Sequence, residues 1–178
     1  MEQDLLYLNG TGTFKQVEES LRCLGQYFGF DSSRPDNEYG TGPDLLWIMP
    51  GDVALCIDAK TDKEPTSVYR KEELGQLSDH VQWVRDHHSI SQIIPGFVGF
   101  ELPFSPSANP PEGVKVASLA KFQALGEALK LAYQNIAASA LPLTIQATVN
   151  EEFGKRSLLW PQLETTIQFI ELRSLRPN

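Results

Sequence analysis

Three residues of the segment 42–60 have the types and spacing to hold a divalent cation beside an amine: Asp44, Asp58 and Lys60. They lie at the open end of an expected hairpin. Apolar runs at 45–49 and 53–57 flank Pro50-Gly51-Asp52, whose fixed φ, permissive φ and Asx-type side chain suit a tight reversal. With those residues as the loop, Met49 faces Val53, and counting back along both strands sets Asp44 opposite Asp58. Cross-strand neighbours sit roughly 5 Å apart at Cβ, where like charges destabilise the pair unless something positive lies between them. A divalent cation supplies that charge. The period of two also puts Asp58 and Lys60 on one face of the second strand, with Val53, Leu55 and Ile57 on the other.

Pro43-Asp44, thirteen intervening residues and then Asp58-Ala59-Lys60 resemble the core motif of the PD-(D/E)XK nucleases, the restriction-endonuclease-like superfamily. The resemblance covers about half the chain, residues 13–100. It implies an α/β fold with a restriction-endonuclease-like core: a mixed sheet of about five strands flanked by helices on both faces. It further implies that Asp44 and Asp58 hold Mg²⁺ or Mn²⁺, that Lys60 orients or activates a water, and that a phosphodiester bond of DNA is cut. Many members carry a glutamate near the start of the first helix that completes the metal site, and Glu18 fits that place. Several carry a glutamine on the helix after the Asp-x-Lys strand, and Gln76, in Leu74-Gly75-Gln76-Leu77, is similar. The Ala59 carbonyl would be a further oxygen ligand. A looser similarity, reaching to residue 136, is to nuclease-like domains of bacterial defence and helicase proteins. It implies a partner protein or larger parent chain that supplies DNA contacts. The rival reading is a nuclease-shaped module that no longer cuts and serves DNA binding or protein docking.

Each residue also has a plainer reading. Pro43-Asp44 fits a turn entering a strand, and Asp58 with Lys60 fits a solvated strand end. Glu18 and Glu19 fit first-turn acids that complement a helix dipole, and Gln76 fits a solvent-exposed helix position. The order helix, hairpin, helix, strand favours the catalytic reading of the hairpin residues.

The elements that must position these residues follow from periodicity. Thr13 and Gln16 form a capping-box signature for a helix to about residue 28, buried along Val17, Leu21, Leu24 and Phe28. At about 100° per residue Glu18 flanks that stripe, beside Gly25, whose missing side chain leaves room, while Glu19 faces water near Arg22. Residues 1–12 read as a flexible lead-in, 28–32 as a first short strand, and 33–42 as a polar loop. Residues 71–87 form a second helix with Leu74, Leu77, Val81 and Val84 on one face and Gln76, His80, Trp83 and His87 on the other. Trp83 is expected under the C-terminal region, and His80 and His87 read as surface or satisfied histidines. A strand is expected over 93–100, starting with or just after Pro95, followed by a proline-rich loop, a short strand at 114–116 and a helix capped by Ser118 running to about 138. One domain therefore spans 13–138. From Pro142 onward one or two helices, the second from 160 or 161 to 172, form a helical extension over 139–178.

Composition sets the remaining bounds. Lys and Arg number 15 against 23 Asp and Glu, a net charge of −8, which is the wrong sign for gripping nucleic acid unaided. Lys60, Lys63, Arg70 and Lys71 lie close in sequence and either form a local positive rim or a solvated helix start. No apolar run approaches the roughly 20 residues that span a bilayer, so no membrane partner is expected. The start, Met1-Glu2-Gln3-Asp4, lacks a basic then apolar signal pattern, so a cytoplasmic location is expected. Cys23 and Cys56 fall on a helix and a buried strand and are expected as free thiols, and His87-His88 has no zinc spacing.

Overall fold

Gly51 and Asp52 take positive φ angles of 85° and 56°, and this left-handed pair reverses the chain between two apolar strands. Aspartate tolerates that region because its short polar side chain hydrogen-bonds locally. The computed structural model describes residues 1–139 and 145–176. The reversal joins β2 (Leu45–Met49) to β3 (Val53–Lys60), which follow α1 (Phe14–Tyr27), β1 (Asp31–Ser33) and α2 (Pro35–Tyr39). Met49 pairs with Val53 and Leu45 with Ile57, the register expected from a three-residue loop. Then come α3 (Lys71–His87), β4 (Gln92–Gly99), β5 (Lys115–Ser118), α4 (Leu119–Ala138), α5 (Ile145–Lys155), α6 (Gln162–Ile167) and β6 (Ile170–Glu171).

The strands lie in chain order, β1 to β6, in one mixed sheet. β1, β2 and β3 are antiparallel neighbours, β4 joins β3 in parallel, β5 joins β4 in parallel, and β6 closes the far edge antiparallel. The β3 to β4 crossover through α3 is the unit a parallel pair requires. β3 is buried along both faces through Asp58, so helices must cover both. On one face Leu45, Trp47, Leu55 and Ile57 pack with Val17, Leu21 and Leu24 of α1 and with Phe122, Leu125 and Leu129 of α4. On the other, Leu46, Ala54 and Cys56 pack with Val84 of α3, while Leu74 and Leu77 join Phe97 and Val116.

Several expectations are corrected. The first residues are not a loose lead-in: Leu6–Asn9 form a 3₁₀ turn, with Leu5 and Leu8 buried in the main core. The polar segment 33–42 contains α2, because Pro35 at its first turn presets the helical φ. Pro95 lies inside β4 and not at its start, which is tolerated because pairing with β5 begins one residue later, at Gly96. Ser118 precedes α4 without a side-chain cap bond. The last helix stops at Ile167, where Gln168 turns left-handed at φ 54°, and residues 170–171 form a sixth strand in place of further helix. Glu171 fixes that strand by accepting from the Gly113 N–H and pairing with Lys115. Beyond α4 the chain is thus not helical throughout, and Phe153, Leu158, Leu163 and Ile167 belong to the main core. The expected helix start at Pro142 lies outside the described residues.

Trp83 is covered by α2 and not by the C-terminal region: its ring stacks on Tyr39 and His87, and a Cβ at Gly42 would come within 2.9 Å of it. The space beside Gly25 is also filled differently from expectation. The Trp47 indole occupies it, fully buried, and a Cβ at Gly25 would lie 2.4 Å from Trp47 Nε1. Overpacking of this kind costs about 1–3 kcal/mol, more than the ~1 kcal/mol an alanine gains in helix propensity over glycine. Gly25→Ala should therefore lower the urea midpoint and the Tm by a few degrees, and an unchanged Tm would show that Trp47 does not rest on α1.

Candidate active site

The hairpin register delivers Asp44 and Asp58 to neighbouring positions on the face that α3 covers. Asp44, just before β2, accepts the backbone N–H of Ala59 through Oδ2 at 2.8 Å. Asp58 is fully buried. Its Oδ1 is 2.6 Å from His80 Nδ1, and since a carboxylate only accepts, that nitrogen carries the proton. Its Oδ2 is buried with no hydrogen-bond partner, 3.8 Å from Lys60 Nζ. Lys60 in turn donates to Gln76 Oε1 at 3.2 Å. Five of the six expected residues, Glu18, Asp44, Ala59, Lys60 and Gln76, line one cleft of about 640 Å³, while Asp58 is buried and does not line it.

Electrostatics follow from this crowding. Burial, then the charge of Asp58, pushes the Asp44 carboxyl above its ordinary range, against the Ala59 N–H and Lys60, which pull it down. Burial draws the His80 imidazole down, but the hydrogen bond and charge of Asp58, with Asp44 behind, outweigh it and leave the ring more basic than usual. Glu18 is pushed up by burial and by Asp44, against the pull of Arg34. Burial leads the shifts of Asp44 and Glu18, and a neighbouring carboxylate adds to each.

Glu18 was expected as a third metal ligand, and here the structure differs. Its carboxylate is bound by Arg34, both side chains being about nine-tenths buried. Arg34 also reaches Glu19 at 3.4 Å, and Glu19 pairs with Arg22 on the wet side as its phase required. Among the described residues no three His, Cys, Asp or Glu side chains gather as a metal-holding set. The positive rim is likewise not built. Lys63 pairs with Glu73 at 2.8 Å and lies over the Tyr69 ring, Arg70 and Lys71 do not line the cleft, and the acids that line it, Glu18, Asp36, Asp44, Asp62 and Glu73, outnumber Lys15, Arg34 and Lys60. Both cysteines are free, Cys56 with its thiol pushed up by burial.

No known protein decides the matter. The chain matches no family model, no curated protein and no solved structure. No helix among the described residues is long and apolar enough to cross a membrane.

Two site residues escaped sequence reasoning, Arg34 and His80. Arg34 sits in a polar segment with no periodicity, so nothing marked it. His80 carried a usable signal. Asp58 and Lys60 are two strand residues apart, roughly 6.6 Å, and Gln76 and His80 are four helix residues apart, about 6 Å. The pairs match in length, and α3 runs back along β3, so His80 meets Asp58 as Gln76 meets Lys60.

Removing Arg34 would leave Glu18 buried and unpaired, a loss that costs about 3–5 kcal/mol in comparable sites. Arg34→Ala should lower stability to urea by that order, and the double change Glu18→Leu with Arg34→Met should restore most of it. Equal stability of wild type and Arg34→Ala would show the pair to be solvated.

Proposed function

We propose that this chain is a metal-dependent nuclease of the PD-(D/E)XK type that hydrolyses phosphodiester bonds of DNA. The observation that carries the reading is the unpartnered, buried Oδ2 of Asp58, 3.8 Å from Lys60 Nζ and next to the cleft that Asp44, Ala59 and Lys60 line. A desolvated carboxylate oxygen without a donor is costly unless a cation completes it. The order helix, strand, hairpin, helix, parallel strand around those residues also supports the superfamily's core.

Asp44 and Asp58 would hold Mg²⁺ or Mn²⁺, hard cations that suit oxygen donors, with the Ala59 carbonyl as a further oxygen. When bound, the ion would lower the pKa of its water and offset charge on the phosphate. Lys60, steadied by Gln76, keeps an ammonium beside Asp58, where it orients the attacking water and counters the charge that builds on the phosphate oxygens. Ala59 fixes Asp44 through its N–H. The acidic surroundings and net charge of −8 leave little for the phosphate backbone to grip, so DNA is delivered by a partner protein or a larger parent chain.

A second reading, the idle docking module, is favoured by one observation: Arg34 holds the glutamate that would complete the metal set. Nicking of supercoiled plasmid in Mn²⁺ separates the two. Wild type should nick, and Asp58→Ala and Lys60→Ala should not, with their folds intact by circular dichroism. Plasmid left intact by wild type at every Mn²⁺ concentration favours the docking module.

Metal linkage gives an independent check. Binding only to the folded state stabilises by about 2.7 kcal/mol at a hundred times Kd. Mn²⁺ should raise the Tm of wild type and not that of Asp44→Asn, and equal shifts in both would remove the acids from the site. The isolated chain should also bind duplex DNA weakly at about 150 mM salt and more tightly as salt falls. Tight binding that ignores salt would remove the need for a partner.

A further inference from the structure

We propose that His80 is a positioning residue for the cation site: its Nδ1–H holds Oδ1 of Asp58 so that Oδ2 alone is offered to the ion. This rests on the nuclease reading above. Asp58 is fully buried, its two oxygens have different fates, and His80 explains the difference. A buried carboxylate with no donor would be free to rotate or tilt toward Lys60 and away from Asp44. With Oδ1 taken at 2.6 Å, rotation would break a charge-assisted bond, so the presented oxygen is fixed.

The ring itself is well anchored for this task. His80 lies mid-way along α3, between Leu77, which is buried against the sheet, and Val84, fully buried under β2 and β3. Its side chain is 13% exposed, so rotamers that swing away from Asp58 are few. One turn earlier on the helix, Gln76 performs the corresponding service for Lys60. α3 thus orients both members of the Asp-x-Lys pair from one face, and the cation's oxygen ligand and the catalytic ammonium keep a fixed separation. Carboxylates that ligate metals are commonly held by such outer partners, and losing one weakens metal binding by about 10–100-fold.

Isothermal titration of the intact chain with Mn²⁺ tests this. His80→Ala should weaken Mn²⁺ binding at least about tenfold. His80→Asn, whose amide N–H can reach Asp58 from nearly the same place, should recover most of the loss. A purely structural role would lower the Tm of the metal-free variants and leave Mn²⁺ affinity unmoved, so affinity unchanged in a folded His80→Ala overturns the proposal while leaving the nuclease reading in place. An Asn variant as weak as the Ala variant overturns it too, because the donated bond would then not be what matters. Wild type that takes up no Mn²⁺ overturns both readings together.

Discussion

Two carboxylates brought together by strand register set the terms for everything around them. Asp44 and Asp58 are held by a backbone turn and a ladder of apolar pairs, so they cannot separate to relieve their repulsion. The protein answers with directed positive charge: an amide N–H on Asp44, an imidazole on one oxygen of Asp58, and an ammonium near the other. Burial first, and then the charge of Asp58, still holds the Asp44 carboxyl above its ordinary range.

The same demand shapes the layers. Because both faces of β3 are covered, its polar end emerges inside a helix-lined cleft and not at an open sheet surface. α1 can approach the sheet closely because Gly25 accepts the Trp47 indole, and that approach carries Glu18 and Glu19 to Arg34. On the opposite side α3 is pinned by Leu74, Leu77 and Val84, so the residues between them, Gln76 and His80, are aimed at the hairpin's end. Core packing and site geometry therefore have common causes.

What the sequence made legible was local. The hairpin, its register and the span of α3 follow from turn chemistry and strong periodicity over a few residues, and they appear as read. The positions of Asp44 and Lys60 about one cleft follow from the same rules, while only the family resemblance puts Gln76 beside them. What escaped depends on packing between distant segments. Leu5 and Leu8 look like scattered apolar residues until α1 and α4 close over them. Residues 170–171 continue a helical spacing, and only the edge of β5 pulls them into the sheet. The Arg34 to Glu18 pair joins the turn between β1 and α2 to a helix flank, and no spacing rule reaches across that gap.

The contacts that build the candidate site link residues close in the chain. Asp44 to Ala59 spans 15 positions, Lys60 to Gln76 and Glu18 to Arg34 each span 16, and Asp58 to His80 spans 22. Closing a loop costs entropy that grows only as the logarithm of its length, so the longest of these costs merely about 0.3 kcal/mol more than the shortest. Among the described residues none after His80 takes part in these contacts. The candidate site is thus assembled within one stretch of chain, residues 18–80, while the later strands and helices extend and cover the sheet on which it stands.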